Sequence, residues 1–213
     1  MEPARRPLTK GEEVANSLSH GFGVLAAIVA APFLITTAFQ HGSLLKVIGA
    51  SIYLFSILLL YSASTLYHAC SHADWKRLLR KVDHSAIFIL IAGTYTPFTL
   101  GPLRGAWGWG ILSVVWTIAV FGVLLTVFTK VRRPWLSIGL YLGMGWLVVV
   151  AIRPLMQNLP PMGLKWLVAG GLAYTLGVFF YVAKKYRYTH SIWHLFVLAG
   201  TACHYFAVLW YAV

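Results

Sequence analysis

Charge is scarce in this chain: Asp, Glu, Lys and Arg together make up 10% of its 213 residues, against 59% apolar ones. So little charge excludes an ordinary soluble domain, in which about a quarter of the residues are charged. Cysteine is scarce as well. Cys70 and Cys203 are too few for a disulfide framework, and both read as packing residues. There is no low-complexity tract and no visible internal repeat, and the lack of duplicated halves weakens a secondary-transporter reading. The first apolar run is too long for the h-region of a signal peptide, so it is expected to remain in the protein as a span. Acidic residues are few: 5, against 17 Lys and Arg, for a formal charge of +12. In a soluble chain that excess would suggest nucleic acid. In a membrane chain the positions of the basic residues matter more than their sum, and no nucleic-acid partner is expected.

What remains is hydrophobic length. Apolar runs of about 18 to 25 residues recur, each long enough to cross a hydrocarbon core of roughly 30 Å as a helix. Seven are expected, near 17–39, 44–67, 83–100, 105–128, 135–152, 164–183 and 189–213. The chain is therefore expected to be an all-α, seven-transmembrane helix bundle, multi-pass in the cell's inner (plasma) membrane. Residues 1–16 form a cytoplasmic N-terminal segment and residues 17–213 the bundle, one domain. Basic residues alternate along the spans. Arg5, Arg6 and Lys10, then Lys76, Arg77, Arg80 and Lys81, then Lys130, Arg132 and Arg133, then Lys184, Lys185 and Arg187 all fall on one side, leaving Lys46, Arg104, Arg153 and Lys165 for the other. The positive-inside rule makes the N-terminus cytoplasmic, and an odd number of crossings puts Val213 outside. Pro32 and Pro97 are expected to kink their helices. Gly139 and Gly143 form a GxxxG that reads as close helix packing. Trp107, Trp109, Trp135, Trp146, Trp166, Trp210 and Tyr211 gather toward span ends, as interfacial anchors do.

Against this background the polar residues need a reason, because a charge at the centre of a bilayer costs about 2.5 to 3.5 kcal/mol on insertion scales. The second run ends in YSASTLYHAC, with Ser64 and His68 four apart on one helical face. The third begins at Asp83. The seventh begins in THSIWH, with His190 and His194 again four apart. The expected topology brings Ser64, His68, Asp83, His190 and His194 to one depth, just inside the inner leaflet. Three imidazoles with an open fourth position suit a divalent cation, zinc first. Such an ion lowers the pKa of bound water to about 7. Asp83 could then hold that water or act as general base, and Ser64 could hydrogen-bond to it or to a substrate carbonyl. The same residues without metal could form a proton relay. Glu13, Asn16 and His20 recur at helical spacing at the start of the first run, where they either brace the site or cap a helix. His204 lies ten residues past His194, about 15 Å deeper, too far for the same ion, and is expected to hydrogen-bond within the bundle. His41 and His72 read as interfacial residues and His84 as pointing away from the site.

The motifs E13-V-A-N16-S-L-S-H20, S64-T-L-Y-H68, Asp83 and H190-S-I-W-H194, followed by His204, resemble those of the hemolysin III proteins within the progestin and adipoQ receptor family. The resemblance covers nearly the whole chain, from Glu13 to His204. It implies seven helices with a cytoplasmic N-terminus and a zinc ion near the inner leaflet held by His68, His190 and His194. In that family the Asp is placed to hold the water bound by the metal, with the Ser nearby, which here corresponds to Asp83 and Ser64. The family's adiponectin receptors are linked to ceramide hydrolysis, while its short bacterial members, which this chain resembles more, carry a hemolysin name.

Three functions follow from the reading. One is a metal-dependent hydrolase that cleaves an amide or ester in a membrane lipid, with membrane lipids as its partners. Another is a membrane-perturbing or pore-forming, cytolytic protein with structural zinc. The last is a non-enzymatic sensor or transporter that binds protons or an ion.

Overall fold

A computed structural model describes residues 6–40, 43–129, 134–183 and 185–213. Arg5, His41, Lys130, Arg132, Arg133 and Lys184 lie outside the described residues, and with them part of the expected basic pattern. The described chain is helical: α1 (Lys10–Gln40), α2 (Leu44–Ala69), α3 (Ala73–Leu100), α4 (Ala106–Phe128), α5 (Pro134–Gly145), a 3₁₀ segment (Leu147–Ala151), α6 (Ile152–Asn158), α7 (Pro161–Val182) and α8 (Thr189–Tyr211).

Local chemistry sets several of these boundaries. Thr9 opens α1 through a reciprocal capping box: its backbone N–H donates to Glu12 Oε2 at 2.9 Å, and the Glu12 N–H donates to Thr9 Oγ1 at 3.3 Å. Pro161 occupies the first position of α7, where a missing N–H costs nothing. Gly105, at φ 127°, provides the left-handed turn between α3 and α4. The helix continues through Pro32 in α1 and through Pro97 in α3.

Among the described residues, six helical stretches are long and apolar enough to cross a membrane: Lys10–Gln40, Leu44–Ala69, Ala106–Phe128, Trp135–Asn158, Pro161–Val182 and Thr189–Tyr211. The expected count of seven is thereby corrected. With an even number, the argument from odd crossings that put the two termini on opposite sides no longer holds. The stretch that drops out is α3. Its first turns carry Asp74, Lys76, Arg77, Arg80, Lys81 and Asp83, and its last turns carry Thr94, Tyr95, Thr96 and Thr99. The charged first turns are exposed, with Asp74 and Arg77 71% accessible, whereas burial explains why the helix tolerates polarity from Asp83 onward. Ala86, Leu90 and Phe98 face one apolar cluster, with residues of α1, α2 and α8, while Phe88, Ala92 and Tyr95 face another, with residues of α4 and α5. From Asp83 onward protein surrounds α3, so its side chains there need to match neighbouring helices rather than acyl tails.

The helices form a ring in which α3 joins α2 to α4. α1 packs on α2 and α8, α2 on α3, α3 on α4, α5 on α3, α4 and α7, and α7 on α8, while α8 also touches α3. The outward faces are apolar and uncovered: Leu18, Phe22, Leu25, Val29 and Phe33 on α1, for example, are all more than half exposed. In water such a surface would aggregate, whereas in lipid it is solvated. The chain is a multi-pass membrane protein.

Within the stretch expected as a single span near 135–152, the helix breaks. Pro154 lacks an N–H and its ring crowds the carbonyl four residues back, and the preceding turn tightens to 3₁₀ over Leu147–Ala151. Tyr95 of α3 fills the gap: its hydroxyl donates to Met144 O at 2.8 Å or Gly145 O at 2.9 Å and accepts from the Val148 N–H at 2.9 Å. The GxxxG reading is also corrected, since an added Cβ at Gly139 or Gly143 would meet nothing within 4 Å. Close approach occurs elsewhere. A Cβ at Gly49 would sit 2.9 Å from the Pro97 Cα, backbone that cannot swing aside.

Gly49→Ala is accordingly expected to lower stability by about 1–3 kcal/mol through overpacking of α2 on α3, read as a drop in the thermal midpoint of the detergent-solubilised protein. Gly139→Ala should leave the midpoint unchanged or slightly raised.

Candidate metal centre

One end of the bundle gathers the polar side chains. α2 ends there, and α1, α3 and α8 begin there, so the His68 end of α2 meets the first turns of the other three helices. His68, His190 and His194 bring one nitrogen each to within 4.8 Å of one another. His68 and His194 are buried and His190 is half-buried. The Nε2 atoms of all three are buried without a hydrogen-bond partner.

The opposite ring nitrogens explain the orientation. His68 Nδ1 lies 2.6 Å from Glu13 Oε2, so it carries the proton and donates it to the carboxylate. His194 Nδ1 lies 3.2 Å from the Asn16 carbonyl oxygen and 2.9 Å from Ser19 Oγ, and the carbonyl again requires an N–H on that side. In both rings Nε2 is left as a lone pair directed toward the cluster. Nitrogen lone pairs buried without donors are costly, and a cation is the partner that would satisfy these two together with the unpartnered His190 Nε2. The donor set therefore fits a divalent metal of zinc's preference, and this group could hold such an ion.

The support comes chiefly from α1. Glu13 also accepts from Lys76 Nζ at 2.8 Å, linking His68 to the start of α3. Asn16 accepts from Ser191 Oγ at 2.6 Å, and its Nδ2 lies 3.5 Å from His68 Nδ1. His20 stacks flat on His194, with ring centroids 3.6 Å apart and planes 5° from parallel, and both its nitrogens are buried without a hydrogen bond. Glu12 is 2% exposed; besides closing the capping box it binds Arg6 at 2.6 Å and accepts from the Tyr188 N–H at 3.0 Å. Tyr188 adopts a left-handed conformation just before α8, and this bond holds the turn that aims His190 and His194 inward.

The other expected site residues divide. Asp83 is buried on α3 and interacts electrostatically with His20, His68 and His190, though it does not belong to the three-imidazole group. Its Oδ2 lies 3.3 Å from His84 Nδ1, close enough for an ion pair though not aligned as a hydrogen bond. His84 thus faces Asp83 rather than pointing away from it. Ser64 is buried one turn before His68, and among the described residues no hydrogen bond joins it to Asp83 or to the imidazoles. His204 lies apart from the cluster, and its Nδ1 donates to Gly200 O at 2.8 Å. Sequence reasoning missed Glu12, Ser19, Lys76 and Ser191. The signal for Glu12 was the T9-K-G-E12 capping pattern, and Ser19 and Ser191 sit inside motifs already quoted for their histidines.

Next to the cluster an apolar cavity of about 130 Å³ runs into the bundle between α2, α3, α5, α7 and α8, with His20 and Trp193, neighbours of His194, in its wall at the histidine end and His204 and Tyr174 deeper.

Removing the Glu13 carboxylate while keeping its shape tests the role of this support. Glu13→Gln is expected to weaken metal binding by about 10- to 100-fold, measured by competition with a chelating dye, with the fold intact by circular dichroism.

The family model for haemolysin-III related proteins matches residues 8–205. The chain is 46% identical to a hemolysin-3 homolog of Bacillus subtilis (strain 168), covering 95% of both chains. It is 44% identical to hemolysin-3 of Bacillus cereus, covering 95% of this chain and 92% of that one. It is 31% identical to the human monocyte to macrophage differentiation factor, covering 92% of this chain and 83% of that one. On these matches, which span nearly the whole chain, this chain belongs to the hemolysin III family, within the progestin and adipoQ receptor superfamily.

Proposed function

We propose that this protein is a zinc-dependent hydrolase that cleaves an amide or ester bond in a membrane lipid. The observation that carries the reading is the convergence of three partnerless Nε2 atoms beside an apolar cavity inside a membrane bundle, with His20, which stacks on His194, and Trp193, which touches His190 and His194, in the cavity wall. A metal beside an apolar cavity suits a substrate with one reactive polar bond and a long hydrocarbon tail. His68, His190 and His194 would hold the ion. A divalent cation of this kind supplies Lewis-acid activation of a carbonyl and of water near neutral pH.

The chain's own residues supply the rest. The Asp83 carboxylate orients the attacking water and accepts its proton, then returns that proton to the departing nitrogen or oxygen as the bond to the acyl carbon breaks. Ser64, one turn before His68 in the same helix, would hydrogen-bond the substrate carbonyl. Glu13, Asn16 and Ser19 keep two of the three imidazoles in the tautomer that presents Nε2.

A second reading, membrane perturbation with a purely structural metal, is favoured by the hemolysin names of the bacterial relatives.

Purified protein in detergent separates the two. His190→Ala or His194→Ala is expected to lose bound metal and hydrolytic activity on a panel of lipid amides and esters. Asp83→Ala should retain the metal while activity falls by about 10²- to 10⁴-fold. Hydrolysis that persists in metal-free His194→Ala would overturn the proposal. Dye release from liposomes that is equal in wild type and Asp83→Ala, with no hydrolysis in either, would establish the second reading.

A further inference from the structure

The cavity has a second polar station, far from the metal end. Of the polar side chains lining it, Thr94, Tyr95, Tyr141, Trp146, Tyr174 and Thr175 all have hydrogen bonds within the protein. His204 is different. Its Nδ1 lies 2.8 Å from a carbonyl oxygen, Gly200 O, so the proton must sit on Nδ1 and Nε2 must carry a lone pair. The ring is 8% exposed and stacked on Tyr174, with centroids 5.4 Å apart and planes 18° from parallel. It is also wedged against Gly170, where any added Cβ would collide with it. The imidazole is thus locked in place and in tautomer, an acceptor in the deep part of a wall where Thr94, Tyr95, Tyr174 and Thr175 are already hydrogen-bonded within the protein. An acceptor in such surroundings is favoured only if a donor reaches it. The ten residues from His194 to His204 place it about 15 Å along α8 from the metal end.

We infer that the cavity selects an acyl chain bearing a hydroxyl group at mid-chain, which donates to His204 Nε2 while the reactive end lies at the metal centre. The inference rests on the lipid reading above but concerns binding, not cleavage. An unsubstituted chain leaves the acceptor unpaired, and a hydroxylated chain pairs it.

Binding of a mid-chain hydroxy fatty acid and of its unhydroxylated parent to the full-length protein in detergent, by native mass spectrometry, tests this without any substitution. Wild type is expected to prefer the hydroxylated chain by about tenfold. His204→Phe, which keeps the stacking on Tyr174, should abolish the preference while still binding the parent chain. Moving the hydroxyl along the chain should weaken binding on either side of one optimum. Equal affinity of wild type for the two acids, failure to bind either, or an unchanged preference in His204→Phe would each overturn the inference. If the preference holds while no lipid is hydrolysed, only the catalytic reading falls.

Discussion

The structure depends on one constraint: a buried imidazole nitrogen without a partner is costly, so the buried nitrogens of the candidate ligands are either hydrogen-bonded or turned toward one another. At His68 and His194 the first helix satisfies one nitrogen, through Glu13, Asn16 and Ser19, and the tautomer this enforces turns the other lone pair toward a shared centre. Much of the polar chemistry of α1 follows from that requirement. The helix carries Glu12, Asn16 and His20 buried on one face while its opposite face is apolar and lies open to lipid. The first helix contributes none of the three candidate ligands, yet without it the rings would have no reason to face one another.

The same logic governs α3. A helix lined with threonines and a tyrosine is a poor partner for acyl tails and a good one for a broken neighbour. Tyr95 repairs the backbone gap ahead of Pro154, and Thr96 accepts from Trp116 Nε1 at 3.2 Å. Polarity in α3 and irregularity in the α5–α6 stretch compensate each other. The opening left beside that irregular stretch is part of the cavity, which Gly145 and Trp146 line.

Much of this was legible in the sequence. The HxxxH and SxxxH spacings, with the Asp opening the third run, identified the cluster because four-residue spacing fixes which side chains share a helical face. The apolar runs gave the helices because length and hydropathy are local properties. α3 looked like one more span because its apolar middle was weighed apart from the charged first turns and threonine-rich last turns that lower its hydropathy. Other errors arose where a residue's environment is set by distant parts of the chain. Gly139 and Gly143 matched a packing motif, but their faces meet no other helix, whereas Gly49 and Gly122, outside any motif, are the ones pressed against Pro97 and Phe88. His84 was discounted because adjacent residues on a helix normally diverge, and yet its Nδ1 reaches the Asp83 carboxylate.

The Glu12 clasp, which joins the first turn of α1 to the residue before α8, has a consequence for biogenesis. Two of the three imidazoles and one end of this clasp are encoded near the end of the chain, whereas their supports are encoded near its start. As the ribosome feeds the membrane, the early helices must therefore wait with a buried carboxylate and a half-built pocket until the last segment arrives. An ion held by all three imidazoles could bind only after α8 has joined α1 and α2.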